Sequence, residues 1–180
     1  MAASALILTG PPGVGKTTIA GLLAQKRDLA VHLEADFFWR SVRKGWIAPW
    51  LPESWDQDAT VLRAVAAAAV AYASGNYPVI VDGVVGPWFL DSFRNDAKAA
   101  NIALYYVILR PSLEITLARA QSRSSGALVE EGPLRHMHQA FQDLGIYENH
   151  VLDNSNQNAA ETAHLIERRI DEGGFLLNES

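Results

Sequence analysis

The residues that most directly specify chemistry are Gly10-Pro11-Pro12-Gly13-Val14-Gly15-Lys16-Thr17, which satisfy G-x-x-x-x-G-K-[ST] at every fixed position. Polyphosphate needs many inward-pointing donors and little side-chain bulk. The glycines let the backbone curl so that successive N–H groups face one anion, and the start of the following helix adds its partial positive charge. Lys16 reaches the β- and γ-phosphates, and the Thr17 hydroxyl is placed to ligate Mg²⁺. The loop 10–17, with Thr18 after it, is the expected nucleotide site.

Such a loop works only between a strand and a helix, and the flanks supply both. Residues 5–9 (ALILT) form a short apolar run, and helical spacing follows from Thr17. A second strand is expected at 29–33, with Glu34-Ala35-Asp36 at its end, then a short helix over 37–44 and a Pro-broken loop carrying Trp46 and Trp50. Asp56 or Asp58 reads as the cap of a long alanine-rich helix ending at Gly75. A third strand, 78–83, ends on Asp82-Gly83; a helix begun by proline covers 87–100; a fourth strand runs 102–109 and stops at Arg110-Pro111. Ser112 caps the next helix, 133–144 is helical, a short fifth strand lies at 150–154, and a last helix covers 159–171. Strands alternating with helices predict an α/β fold: a three-layer P-loop NTPase arrangement in which a five-stranded parallel sheet carries helices on both faces. One domain over 1–180 is expected.

With 49% hydrophobic and 19% charged residues, the chain has the balance of a folded α/β protein. The net charge of −5 argues against an extended nucleic-acid surface, because phosphate backbones are gripped by clustered Lys and Arg. Cysteine is absent, which excludes disulfides, thiol catalysis and thiolate metal sites. No signal-like start and no membrane-length apolar run is visible, so a cytoplasmic protein without a membrane partner is expected. The five histidines show no metal-ligand spacing and read as incidental.

The loop alone serves switches, motors and kinases alike. None of the four lysines sits in a guanine-reading Asn-Lys-x-Asp, and Leu-Ser-Gly-Gly-Gln is missing. The phosphate loop, Asp36 at the end of the second strand, and Arg119 with Arg123 one helical turn apart together resemble the P-loop kinases of small metabolites. Shikimate and gluconate kinases, chloramphenicol phosphotransferase and the kinase domain of polynucleotide kinase belong there.

The resemblance implies ATP and Mg²⁺ as cofactors and a small-molecule hydroxyl as acceptor. It implies catalytic roles for Lys16, Asp36 and Arg123. The carboxylate matching Asp36 takes or orients the acceptor proton; the alternative is that Asp36 caps the helix after it. Arg119 and Arg123 match lid-side arginines that stack on adenine and reach phosphate, against the plainer reading of a solvated helix face. Residues 122–132 would be the lid. Asp82 matches an acidic residue that contacts Mg²⁺, with Thr17, or the acceptor; an Asp-Gly cap is the other reading. Asn154 and Ser155 lie where such kinases wrap adenine.

The acceptor segment is expected at 37–75 together with the loop after Asp82, using Asp36, Arg40, Asp82, Trp88 and Arg135. Its aromatic content favours an acceptor with a flat or apolar face. Gly83 to Trp88 departs from the glycine triplet of shikimate kinase. The expected activity is therefore transfer of the γ-phosphoryl of ATP to a small-molecule alcohol. The alternatives are a nucleoside, nucleotide or polynucleotide 5′-hydroxyl kinase, and a nucleotide-binding regulator with no transferase activity.

Overall fold

The computed structural model describes residues 4–122, 128 and 130–177. Its centre is a five-stranded parallel sheet: β1 (Ser4–Thr9), β2 (Val31–Glu34), β3 (Val79–Asp82), β4 (Ala103–Leu109) and β5 (Val151–Leu152), in the order β2-β3-β1-β4-β5. The helices are α1 (Lys16–Gln25), α2 (Asp36–Arg40), α3 (Trp55–Ser74), α4 (Leu90–Ala99), α5 (Leu113–Gln121), α6 (Glu131–Ala140) and α7 (Ala159–Asp171).

Alternation along β1 sorts the core into two halves. Ala5 and Ile7 face a cluster built with α3 and α4, while Leu6 and Leu8 face one built with α1 and α7. A strand buried on both faces must be apolar throughout, which is why ALIL reads as a run and not as an alternation. In α3, Val61, Leu62, Val65, Ala66, Ala69 and Ala73 repeat on one stripe and are buried. Its alanines bring the helix close to the sheet without loss of helix propensity.

Several boundaries move. The helix α3 starts at Trp55, after a 3₁₀ turn over Pro52–Ser54. Asp58 is therefore inside its first turns, and neither it nor Asp56 is the cap. Ser112 does cap α5, accepting from the Ile115 N–H at 3.3 Å. The helix α7 opens with a reciprocal capping box, Asn158 with Glu161. Pro133 is tolerated in the first turn of α6, where no intrahelical donor is required of it. That helix stops at Ala140, short of 144, and Phe141 turns into the core. The fifth strand is shortened because 145–150 winds as 3₁₀ helix, and His150 is buried with Nδ1 3.0 Å from the Tyr106 carbonyl oxygen. Among the described residues no helix is long and apolar enough to cross a membrane.

Because the strands are parallel, Thr9, Glu34 and Asp82 all end on the same edge of the sheet. The loops that follow them meet there.

Candidate functional site

The turn between β1 and α1 is held open by left-handed glycines. Gly13, at φ 92°, lies so close to α5 that a Cβ there would sit 2.6 Å from the Thr116 carbonyl oxygen. Only glycine satisfies both constraints. Gly15 stands just ahead of α1, and Lys16 is the first residue of the helix, largely buried. Its Nζ donates to the carbonyl oxygens of Gly10 and Pro11, each at 2.9 Å, so the lysine ties the loop into a ring around the place where an anion would lie.

Asp82, at the end of β3, is buried against this loop. Burial pushes its carboxyl up, but the hydrogen bond from His32, the charge of Lys16 and the hydrogen bond from Thr17 outweigh it and hold the group below the usual 3.8. Nε2 of His32 is 3.3 Å from Oδ2. His32 is thus not incidental; it orients the carboxylate that faces Lys16 and Thr17. A lowered carboxyl beside a threonine hydroxyl is a suitable oxygen set for Mg²⁺, which takes one or two protein ligands and completes its octahedron with water and phosphate. Among the described residues no group of three or more His, Cys, Asp or Glu gathers as a metal cage.

The loop after β3 is fastened from both sides. The Val85 N–H donates to the Thr9 hydroxyl at 2.8 Å, and the buried Tyr106 hydroxyl donates to the Val85 carbonyl at 2.7 Å. Gly83 is thereby set beside the end of β1, its N–H 3.4 Å from the Leu8 carbonyl oxygen.

The helix α2 begins at Asp36, directly after β2, with its carboxylate exposed. What fixes this short helix is Trp39, whose indole N–H donates to Asp58 on α3 at 2.8 Å. Asp58 also accepts from the Ser54 hydroxyl at 2.6 Å. This buried network is the part of the site that sequence reasoning missed, together with His32 and Glu34. Read as a cap of the helix, Asp58 gave no sign of it.

One cleft of about 1410 Å³ runs along this edge. Pro12, Lys16, Thr17 and Thr18 line one part, and Asp36, Arg40, Asp82 and Trp88 line it too, so the structure brings these expected residues together. Glu34, Asp58 and His136 also reach it. Arg135 does not line it, and pairs instead with Glu131 one turn back at 2.6 Å on an exposed face.

Asn154 and Ser155 are elsewhere, in the junction between β5 and α7, which Arg119 reaches from α5. Nη2 of Arg119 donates to the carbonyl oxygens of Asn154 (3.1 Å) and Gln157 (3.3 Å). The Asn154 amide donates to the Val14 carbonyl of the phosphate loop at 3.1 Å, and its buried Oδ1 finds no partner among the described residues. The Ser155 hydroxyl accepts from the Ser112 N–H at 2.8 Å. Arg123, and most of the expected lid 122–132, lie outside the described residues; Leu128 lines the cleft. Arg110 closes β4 in a two-pronged pair with Glu148 at 2.7 and 2.8 Å.

The AAA domain family profile matches residues 6–144. A comparison with curated protein sequences found no match. Among solved structures, the chain is similar to a tunicamycin resistance protein of Deinococcus radiodurans (17% identity, 98% of this chain and 99% of that one, TM-score 0.69). It is also similar to a sugar kinase of Janibacter (22%, 93% and 94%, 0.70) and to a gluconokinase of Sinorhizobium meliloti (17%, 94% and 97%, 0.60). At these identities the likeness is one of fold.

Proposed function

Since the chain belongs to the AAA domain family of P-loop proteins, we propose that it is an ATP- and Mg²⁺-dependent phosphotransferase that moves the γ-phosphoryl group to the hydroxyl of a small molecule. The observation that carries this reading is that Lys16, Thr17 and Asp82 line the same cleft as Asp36. A binding module needs the phosphate loop alone; a transferase needs a carboxylate in reach of the acceptor as well.

The loop N–H groups and Lys16 would hold the polyphosphate, and Thr17 with Asp82 would hold Mg²⁺, which would supply charge neutralisation there. Asp36 accepts the proton of the acceptor hydroxyl as the oxygen–phosphorus bond forms and ADP leaves with its own oxygen. His32 keeps the Asp82 carboxylate turned towards Lys16 and Thr17. Arg119 and Asn154 act on the nucleotide side, and their support is indirect: they brace the β5–α7 loop against the phosphate loop. Phosphoryl transfer asks a protein chiefly for positioning and charge compensation, and this arrangement offers both.

The test is ADP formation with Mg²⁺, first without acceptor and then across hydroxylated metabolites, nucleosides and hydroxyl-bearing antibiotics, with the product weighed for an added phosphate. Asp36→Asn should abolish transfer and leave ATP affinity unchanged. Full turnover in that variant removes Asp36 from the mechanism.

A further inference from the structure

We infer that the acceptor is a neutral or cationic alcohol with a flat apolar ring system held against tryptophan. This rests on the kinase reading above, and names the class of molecule that reading leaves open.

The chain has five tryptophans, at 39, 46, 50, 55 and 88, and all five line the one cleft. Core packing explains only Trp39, which is buried. Trp46, Trp55 and Trp88 remain 50%, 53% and 43% exposed, an unusual state for the largest apolar side chain when it sits on a concave wall. They come from separate stretches of chain and form paired platforms. Trp46 meets Trp50 edge-on at 6.5 Å, Trp55 lies 4.8 Å from Phe89 at a shallow 35°, and Trp88 packs 5.8 Å from Phe141. Rings in such tilted arrangements leave faces on which another flat group can stack.

Charge narrows the class. Beyond the phosphate end, the cleft is lined by Glu34, Asp36 and Asp58 against Arg40 and Arg43. Arg40 is already drawn over the Phe37 ring at 5.3 Å. Among the described residues these walls carry no excess of cations to receive a carboxylate or phosphate on the acceptor.

The test is calorimetric titration of the full chain with matched alcohols that differ in the ring: 4-nitrophenyl β-D-glucoside against glucose, 3-phenoxy-1,2-propanediol against glycerol, and thymidine against ribose, with gluconate as the anion. The ring-bearing partner should bind at least about tenfold more tightly in each pair, the scale of a stacking contact. Trp46→Ala and Trp55→Ala, both at exposed positions where folding tolerates truncation, should erase most of that preference while circular dichroism stays unchanged. Equal affinity within the pairs, or gluconate binding best, overturns the inference. The same compounds are then incubated with ATP and Mg²⁺. Phosphorylation of gluconate but of no ring-bearing alcohol sinks the acceptor class and leaves the kinase reading intact. Ring-selective binding with no ADP formed by any alcohol upholds the binding class and sinks the kinase reading.

Discussion

Replacing Asp58 by alanine isolates the contact that holds α2, and with it Asp36, against α3. Asp58 accepts from Trp39 at 2.8 Å and from Ser54 at 2.6 Å. The two donors lose different amounts. Ser54 keeps a second acceptor, the Leu51 carbonyl at 2.8 Å, so its proton is not stranded. The indole N–H of the buried Trp39 has no such alternative, and an orphaned buried donor costs about 1–3 kcal/mol. Removing a buried carboxylate also relieves its own desolvation, so the net loss should be about 2 kcal/mol. For a chain of this size that lowers Tm by roughly 4–8 °C. Asp58→Asn is the sharper control. Its carbonyl oxygen still accepts from Trp39, and its amide donates to the Ser54 hydroxyl, which turns its proton to Leu51; the expected loss is under about 1 kcal/mol. Urea unfolding followed by circular dichroism measures both, and a cycle with Trp39→Phe should return a coupling of about 1–2 kcal/mol. Under the proposed activity, Asp58→Ala also lowers kcat about tenfold with ATP affinity unchanged, because the carboxylate on α2 loses its fixed position. An Asp58→Ala variant within about 0.5 kcal/mol of the parent, or an Asp58→Asn variant as damaged as the alanine one, refutes the network argument.

Gly13→Ala should strain a left-handed backbone and drive a methyl into the Thr116 carbonyl, costing at least about 1–2 kcal/mol from conformation alone; ATP binding by calorimetry should fall sharply, and retained affinity would show that α5 yields easily. The Arg110 hydrogen bond holds the Glu148 carboxyl at about 2, below its ordinary 4.5. A depressed acid stabilises the fold above its unfolded pKa and loses that contribution as pH falls from 4.5 towards 2. Glu148 is well exposed, so screening limits the effect to about 1 kcal/mol or less. Glu148→Gln should flatten the acid limb of the stability profile in that window, and an unaltered limb would mean the pair contributes nothing.

The sheet was legible because its cause is local: parallel strands buried on both faces must be apolar runs, and 5–9, 78–83 and 102–109 are such runs. The phosphate loop was legible for a different reason, since each fixed residue has its own chemical task within one short turn. What escaped depends on partners distant in sequence. Asp58 finds Trp39 on another helix, and read alone it looks like a cap. His32 finds Asp82 across neighbouring strands, where no helical spacing announces it. Arg119 is a further case. Its type suits phosphate or adenine, and what no spacing announced is that its Nη2 also donates to the β5–α7 loop carbonyls of Asn154 and Gln157.

The strand order has a consequence for how the chain is made. The phosphate loop follows β1, the first strand to be synthesised, yet β1 is hydrogen-bonded on one side to β3 and on the other from Ser4↔Ala103 to Thr9↔Ile108. Until β4 is made, the nascent chain carries this apolar strand with one ladder open, and closing that ladder demands a pairing between segments far apart along the chain. The loop that holds the nucleotide is therefore encoded first and completed late. Its ring around Lys16 touches β4 through Gly10 and α5 through Gly13, so the proposed nucleotide site takes its shape only once the central sheet has closed in register.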